Sequence, residues 1–243
     1  MGFNKLKISI MQPTFNPWLG YFDIIDYVDK FVFLDTVQLT RRSWQVRNKL
    51  KVNSKEYIFT LPIVKEKKRN EELIKSVKLF ESNKTKEKLY TLIQNNYKKS
   101  KFYDEVKDFI KKIIFYDTDS LSLYNINIIT QISKKLNLNT KLISLSDINY
   151  QSNATKGDLI LNICKYFNTS DYISPLGSKE YLEKVSDRFK KENINIYYQY
   201  YKHPIYNQLG KNFIPYIGIF DLLYNEGFEN SLKIIKSGRK YEK

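Results

Sequence analysis

KISIMQPTFNPWLGYFDIIDYVDKFVFLD, residues 7–35, is the stretch on which the fold turns. Lys7–Met11 is a short apolar run closed by Gln12-Pro13, and it reads as a buried strand. Thr14–Gly20, with Pro13, Pro17 and Asn16, has turn chemistry. In Tyr21–Val28 the apolar residues Phe22, Ile25 and Val28 recur at helical spacing, and Phe31–Leu34 is a second strand that ends at Asp35. Strand, loop, helix and strand within thirty residues make a βαβ unit, which implies a parallel sheet. Functional residues of such sheets gather at the carboxyl ends of the strands. Gln12 and Asp35 each follow a strand, so both are expected on that edge.

Outward from this unit, Lys49–Val52 and Tyr57–Val64 read as a hairpin around Asn53-Ser54, followed by a charged loop at 65–72. Three amphipathic helices are expected over Lys84–Tyr97, Phe102–Phe115 and Ser120–Leu136. Alternation then resumes, with strands at Lys141–Leu145, Asp171–Ser174 and Ile194–Tyr198 and helices at Lys156–Phe167 and from Ser178 to Lys190. Tyr201–Pro215 is irregular. A last helix, Tyr216–Tyr224, is expected to stop at Asn225-Glu226-Gly227 with Gly227 as its cap. The expected fold is α/β: a parallel or mixed sheet of Rossmann-like type flanked by helices. It forms one domain over 1–243 with a helical insertion at about 83–137, and no internal repeat or linker is evident.

Composition narrows the classes. With 243 residues, 42% of them hydrophobic, the chain can bury a full core and is too apolar to be disordered. No apolar run is long enough to span a bilayer. The opening MGFNKLKISIMQP lacks the pattern of a secretory signal. A single cysteine, Cys164, fits a reducing compartment, so a cytoplasmic location is expected. The net charge of +15 suggests an anionic partner. Only six of the 41 basic residues are Arg, however, and the abundance of Ile, Asn, Lys and Tyr matches AT-rich codons. Charge alone therefore argues weakly for nucleic acid.

Several residues have the chemistry for a site. His203 is the only histidine, and it stands in a loop where an imidazole suits general acid–base work. Asp35 ends a strand, and Asp221 lies in an apolar run where an unpaired charge is costly. Arg41, Arg42 and Arg47 fall within seven positions and suit phosphate or carboxylate. Trp44 beside them can stack on a sugar or base. Cys164, in an apolar helical pattern, reads as a structural thiol. One His and one Cys cannot close a zinc site, and neither GxGxxG nor GxxxxGK[ST] occurs. The residues identify no metal, cofactor or oligomeric state.

Gln12-Pro13, Pro17-Trp18-Leu19-Gly20-Tyr21-Phe22 and Phe31–Asp35 resemble the N-terminal signature of the WbqC-like family. The likeness continues through Val37-Gln38, Arg42, Trp44 and Arg47-Asn48. It resumes at His203-Pro204, Tyr206, Gln208, Phe213, Pro215, Asp221-Leu222-Leu223, Asn225 and Gly227. Phe15 stands where Tyr is expected, and Gly218 where Ser is common. Pro13–Tyr21 is also faintly similar to the opening motif of HIGH-type nucleotidyltransferases, with its histidines replaced. Family resemblance implies bacterial cell-surface polysaccharide synthesis, O-antigen in particular. The resulting expectation is an enzyme that modifies a nucleotide-linked sugar, by acyl or aminoacyl transfer to an amino sugar. His203, Asp35 and Asp221 would be catalytic. Gln12, Trp18, Gln38, Arg41, Arg42, Trp44, Arg47, Asn48, Gln208 and Asn225 would bind substrate. The alternative is a non-catalytic basic module for nucleic acid or another anionic partner, with Tyr and Phe interleaved among Lys as stacking platforms.

Overall fold

The computed structural model describes residues 6–40, 42–64 and 72–243. Six strands form one sheet: β1 (Lys7–Met11), β2 (Lys30–Phe33), β5 (Lys141–Ser144), β6 (Asp171–Pro175), β7 (Asn195–Gln199) and β8 (Tyr241–Glu242). Their order is β5-β2-β1-β6-β7-β8, and all pairs are parallel except β7–β8. Taken in chain order, the five parallel strands run 3-2-1-4-5, so the order reverses between β1 and β6. That reversal is the switch point of a doubly wound sheet. Two separate strands, β3 (Arg47–Val52) and β4 (Lys55–Thr60), make the hairpin.

Side chains alternate across the strands and supply two cores. Phe31, Phe33 and Ile173 pack on one face with α1 (Leu19–Tyr27), α2 (Ser82–Tyr97), α3 (Tyr103–Ile114), α4 (Leu121–Lys135) and α8 (Ile219–Ser237). Ile8, Ile10, Val32 and Tyr172 pack on the other with α5 (Lys156–Tyr166), α6 (Lys179–Glu183) and α7 (Ser186–Lys191). Cys164 is fully buried in this second core, and burial pushes its thiol far above the ordinary value. None of the described helices is long and apolar enough to cross a membrane.

Three expectations are corrected. The helix read from Ser178 to Lys190 is two short helices, and the Ser178 side chain makes no cap bond. The break falls where the Ser186 hydroxyl donates to the Glu183 carbonyl, 2.9 Å away, in place of a helical partner. The last helix begins at Ile219 and continues to Ser237, because Gly227 kinks it without ending it. Its φ of 69° and ψ of −179° suit glycine, and the chain re-enters the helix beyond it. Glu72 belongs to the core side of its segment, since it is buried and its carbonyl accepts from the Leu39 amide. The rest of the charged loop, 65–71, lies outside the described residues.

Candidate functional site

The loop from Gln12 to Trp18 leaves β1 at the switch point and enters α1. It is held against the segment after β2, with the Phe15 amide donating to the Trp44 carbonyl at 2.9 Å. Gln45 Nε2 donates to Gln12 Oε1 at 2.6 Å, and Asn125 Nδ2 donates to both the Pro13 and Gln45 carbonyls. Several polar atoms in this contact are buried without a partner among the described residues, Thr14 Oγ1, Asn16 Nδ2, Ser43 Oγ, Gln45 Oε1, Arg47 Nε and Asn125 Oδ1 among them. Each such group costs about 1–3 kcal/mol when left unsatisfied, and folded proteins tolerate few. Such groups are concentrated where the loop after β1 meets the segment after β2.

Trp44, between Ser43 and Gln45 in the chain, is 46% exposed, with the Arg47 guanidinium 5.5 Å from its ring centre. Arg42 is exposed on a left-handed backbone (φ 52°), and Gln38 is exposed four residues earlier. Arg41 lies outside the described residues. Asn48 is a brace: its Nδ2 donates to the Phe15 and Asn16 carbonyls at 2.8 and 2.9 Å, fixing the loop that carries Gln12.

At the far end of that loop His203 sits in an aromatic enclosure. Trp18 stacks on it at 6.3 Å between centroids, and Tyr201, Tyr206, Phe213 and Tyr216 lie within 6.5 Å. Nδ1 lies 2.9 Å from the Pro204 carbonyl, which can only accept, so Nδ1 carries the hydrogen. Nε2 is then the acceptor, buried and unpartnered. Burial lowers the pKa of the ring and favours this neutral form.

Neither carboxylate bonds to His203. Asp35 is 2% exposed and accepts from the hydroxyls of Ser122 (3.3 Å) and Ser146 (2.5 Å) and from the Ser146 amide (3.1 Å). It thereby ties the end of β2 to α4 and to the turn after β5. Asp221 is fully buried and accepts from Tyr97 and Tyr206 at 2.9 and 2.8 Å. Gln208 bonds the Tyr206 hydroxyl and both backbone groups of Ile214, so it pins its own loop. Asn225 does the same for Leu209.

Desolvation raises Asp221 to about 6, against the two tyrosine bonds that favour its charge. Between 3.8 and about 6 the folded chain holds a proton that the unfolded chain has lost. The stability it confers is therefore complete below 3.8 and is lost as the pH rises through 6, about 3 kcal/mol in all. Asp221→Asn is expected to remove this fall. Urea midpoints of the two proteins from pH 4 to 7 should converge at the acid end or cross, and parallel curves would contradict the assignment.

Sequence reasoning passed over Thr14, Ser43 and Gln45, whose lack of partners is visible only in three dimensions. It also passed over a signal that was there to read. Phe15–Asp23 (FNPWLGYFD) and Phe213–Asp221 (FIPYIGIFD) share Phe, Pro, Gly, Phe and Asp at the same spacing. Both segments open a helix, and they meet through a bridge from Trp18 to Gly218. Each ends in a fully buried aspartate bound by tyrosine hydroxyls, Tyr241 on Asp23 and Tyr97 with Tyr206 on Asp221.

The fold and this edge define an α/β protein of the doubly wound type with a polar switch point. The chain belongs to the WbqC-like protein family, whose model matches residues 12–233. It is 29% identical over 225 residues to the uncharacterized protein Rv1507c of Mycobacterium tuberculosis (strain ATCC 25618 / H37Rv). That alignment covers 92% of this chain and 95% of the relative. No solved structure matches the chain.

Proposed function

We propose that this chain is a cytoplasmic enzyme of bacterial surface-polysaccharide synthesis that acts on a nucleotide-linked amino sugar by acyl or aminoacyl transfer. The unpartnered set Thr14, Ser43, Gln45 and Arg47 beside Trp44 carries the reading. Arg47 holds phosphate, Trp44 stacks on the base or a sugar ring, and Gln12 adds a hydrogen bond from its amide. Gln12 and Trp18 are six residues apart, at most about 20 Å of chain. An extended nucleotide sugar bound at Trp44 can thus direct its far end toward the His203 enclosure. There the sugar amine attacks the carbonyl of an activated acyl donor. A C–N bond forms and the bond from carbonyl carbon to leaving group breaks. His203 Nε2 takes the amine proton and returns it to the leaving group.

Trp44→Ala tests the binding half. Stacking is worth about 1–3 kcal/mol per base, so affinity for a uridine- or cytidine-diphosphate amino sugar should fall about tenfold to a hundredfold in calorimetry. The melting temperature should stay within a few degrees, since Trp44 is half exposed. Unchanged affinity would remove Trp44 from the site. Affinity that collapses between low and moderate salt would favour the charge-driven binding module instead.

A further inference from the structure

A second place in the molecule is arranged for an anion. A cleft of about 450 Å³ opens between the hairpin turn, the end of α2 and the loop at Leu209-Gly210. Its polar lining includes Lys51, Asn53, Ser54, Asn96, Lys98 and Lys99, and among the described residues no acidic one lines it. Lys51 is 4% exposed, yet among the described residues its ammonium donates to neutral oxygens alone, Gln208 Oε1 at 3.2 Å and the Asn212 carbonyl. An ammonium has three hydrogens to donate, so one remains. The charge of Asp221, which acts on Lys51, is engaged by the Tyr97 and Tyr206 hydroxyls, and Asp221 does not line the cleft.

The walls are fixed before any ligand arrives. The Asn53 amide donates to Asn96 Oδ1 at 3.1 Å, tying the hairpin turn to α2. Gly210 has a φ of 88°, and a Cβ on it would lie 2.0 Å from Ser54 Oγ, so the loop is pressed onto the turn. The C-terminal end of α2 brings about half a negative charge. Lys51, Lys98 and Lys99 bring three positive ones, so the cleft favours an anion.

We propose that this cleft is an anion site taking a phosphate or pyrophosphate group of a small molecule, distinct from the switch point. Arg47 and Asn53 lie six residues apart along β3 and its turn, about 20 Å at strand rise. One phosphate group therefore cannot serve both places.

The test is thermal unfolding at fixed ionic strength, with sodium pyrophosphate exchanged for sodium chloride and uridine diphosphate in a parallel arm. Pyrophosphate should raise the melting temperature of the wild type in proportion to the logarithm of its concentration. Lys98→Glu with Lys99→Glu should weaken the apparent Kd at least tenfold. Both lysines are exposed, so the variant should fold. Trp44→Ala should leave the pyrophosphate response intact. Tighter binding of uridine diphosphate, lost in the same lysine variant, would identify a nucleotide as the source of the phosphate. Equal or weaker binding would identify free pyrophosphate. No stabilisation by pyrophosphate beyond chloride, or a pyrophosphate response undiminished in the lysine variant, would overturn the proposal. So would a response lost only in Trp44→Ala, which would move the phosphate to the switch point.

Discussion

His203→Gln is expected to cut turnover of the amino-sugar acyl transfer by about 10²–10⁴-fold, the usual contribution of a positioned base. Substrate affinity should change little, because Trp44 and Arg47, and not His203, hold the nucleotide. The pH profile offers an independent readout. Burial holds the ring below its ordinary value of 6.5. The neutral, basic form is then retained further into acid, and the rate should decline only below the range where a free histidine titrates. Glutamine keeps a polar group facing the Pro204 carbonyl and preserves the volume, so a large loss of Tm would point to packing. Turnover retained in His203→Gln would strike the residue from the mechanism and leave the aromatic enclosure as a structural cluster.

The two buried aspartates show why the carboxylates were harder to place than the histidine. Asp35 follows a strand and points, on topology alone, to the functional edge. In the structure Ser122, 87 positions away, and Ser146, 111 away, occupy its oxygens. Asp221 is paired by Tyr97, 124 positions distant. Partners at that separation leave no local trace, so a sequence can show that a charge needs a partner without showing which one it has.

Local signals fared better where one physical rule dominated. Lys7–Met11 and Lys156–Tyr166 were legible from periodicity, and the hairpin from Asn53-Ser54, both of which take positive φ. The two-residue strand β8 was not legible, since its only support is pairing with β7. Nor was the stretch of α8 beyond Gly227, because a glycine after an apolar run reads as a terminus. In the candidate site, Gln12, Trp44 and Arg47 were legible as residue types suited to a ligand. Ser43 and Gln45 became candidates only when their atoms proved buried and unpartnered.

Gly227 is also where the largest loss of stability is expected. Gly227→Ala places a side chain on a backbone with φ 69° and ψ −179°, a region essentially restricted to glycine, at about 1–3 kcal/mol. The new Cβ would lie 2.6 Å from Phe102 Cδ1 and 3.1 Å from Glu105 Oε2. Neither neighbour can yield freely. The Phe102 amide donates to the Tyr224 carbonyl at 3.1 Å, and Glu105 Oε1 accepts from the Phe228 amide at 3.1 Å, which satisfies a donor freed by the kink. Overpacking of this kind adds about 1–3 kcal/mol. Together they give a loss of about 2–6 kcal/mol, a large share of the 5–15 kcal/mol typical of a folded chain. Gly177→Ala is the control, since nothing lies within 4 Å of a Cβ there and its stability should be unchanged. Adding Phe102→Leu to Gly227→Ala should recover the clash but not the backbone strain, so the double variant should regain only part of the loss in urea unfolding. Full recovery would show that the kink is set by packing alone, and no recovery that the backbone sets it.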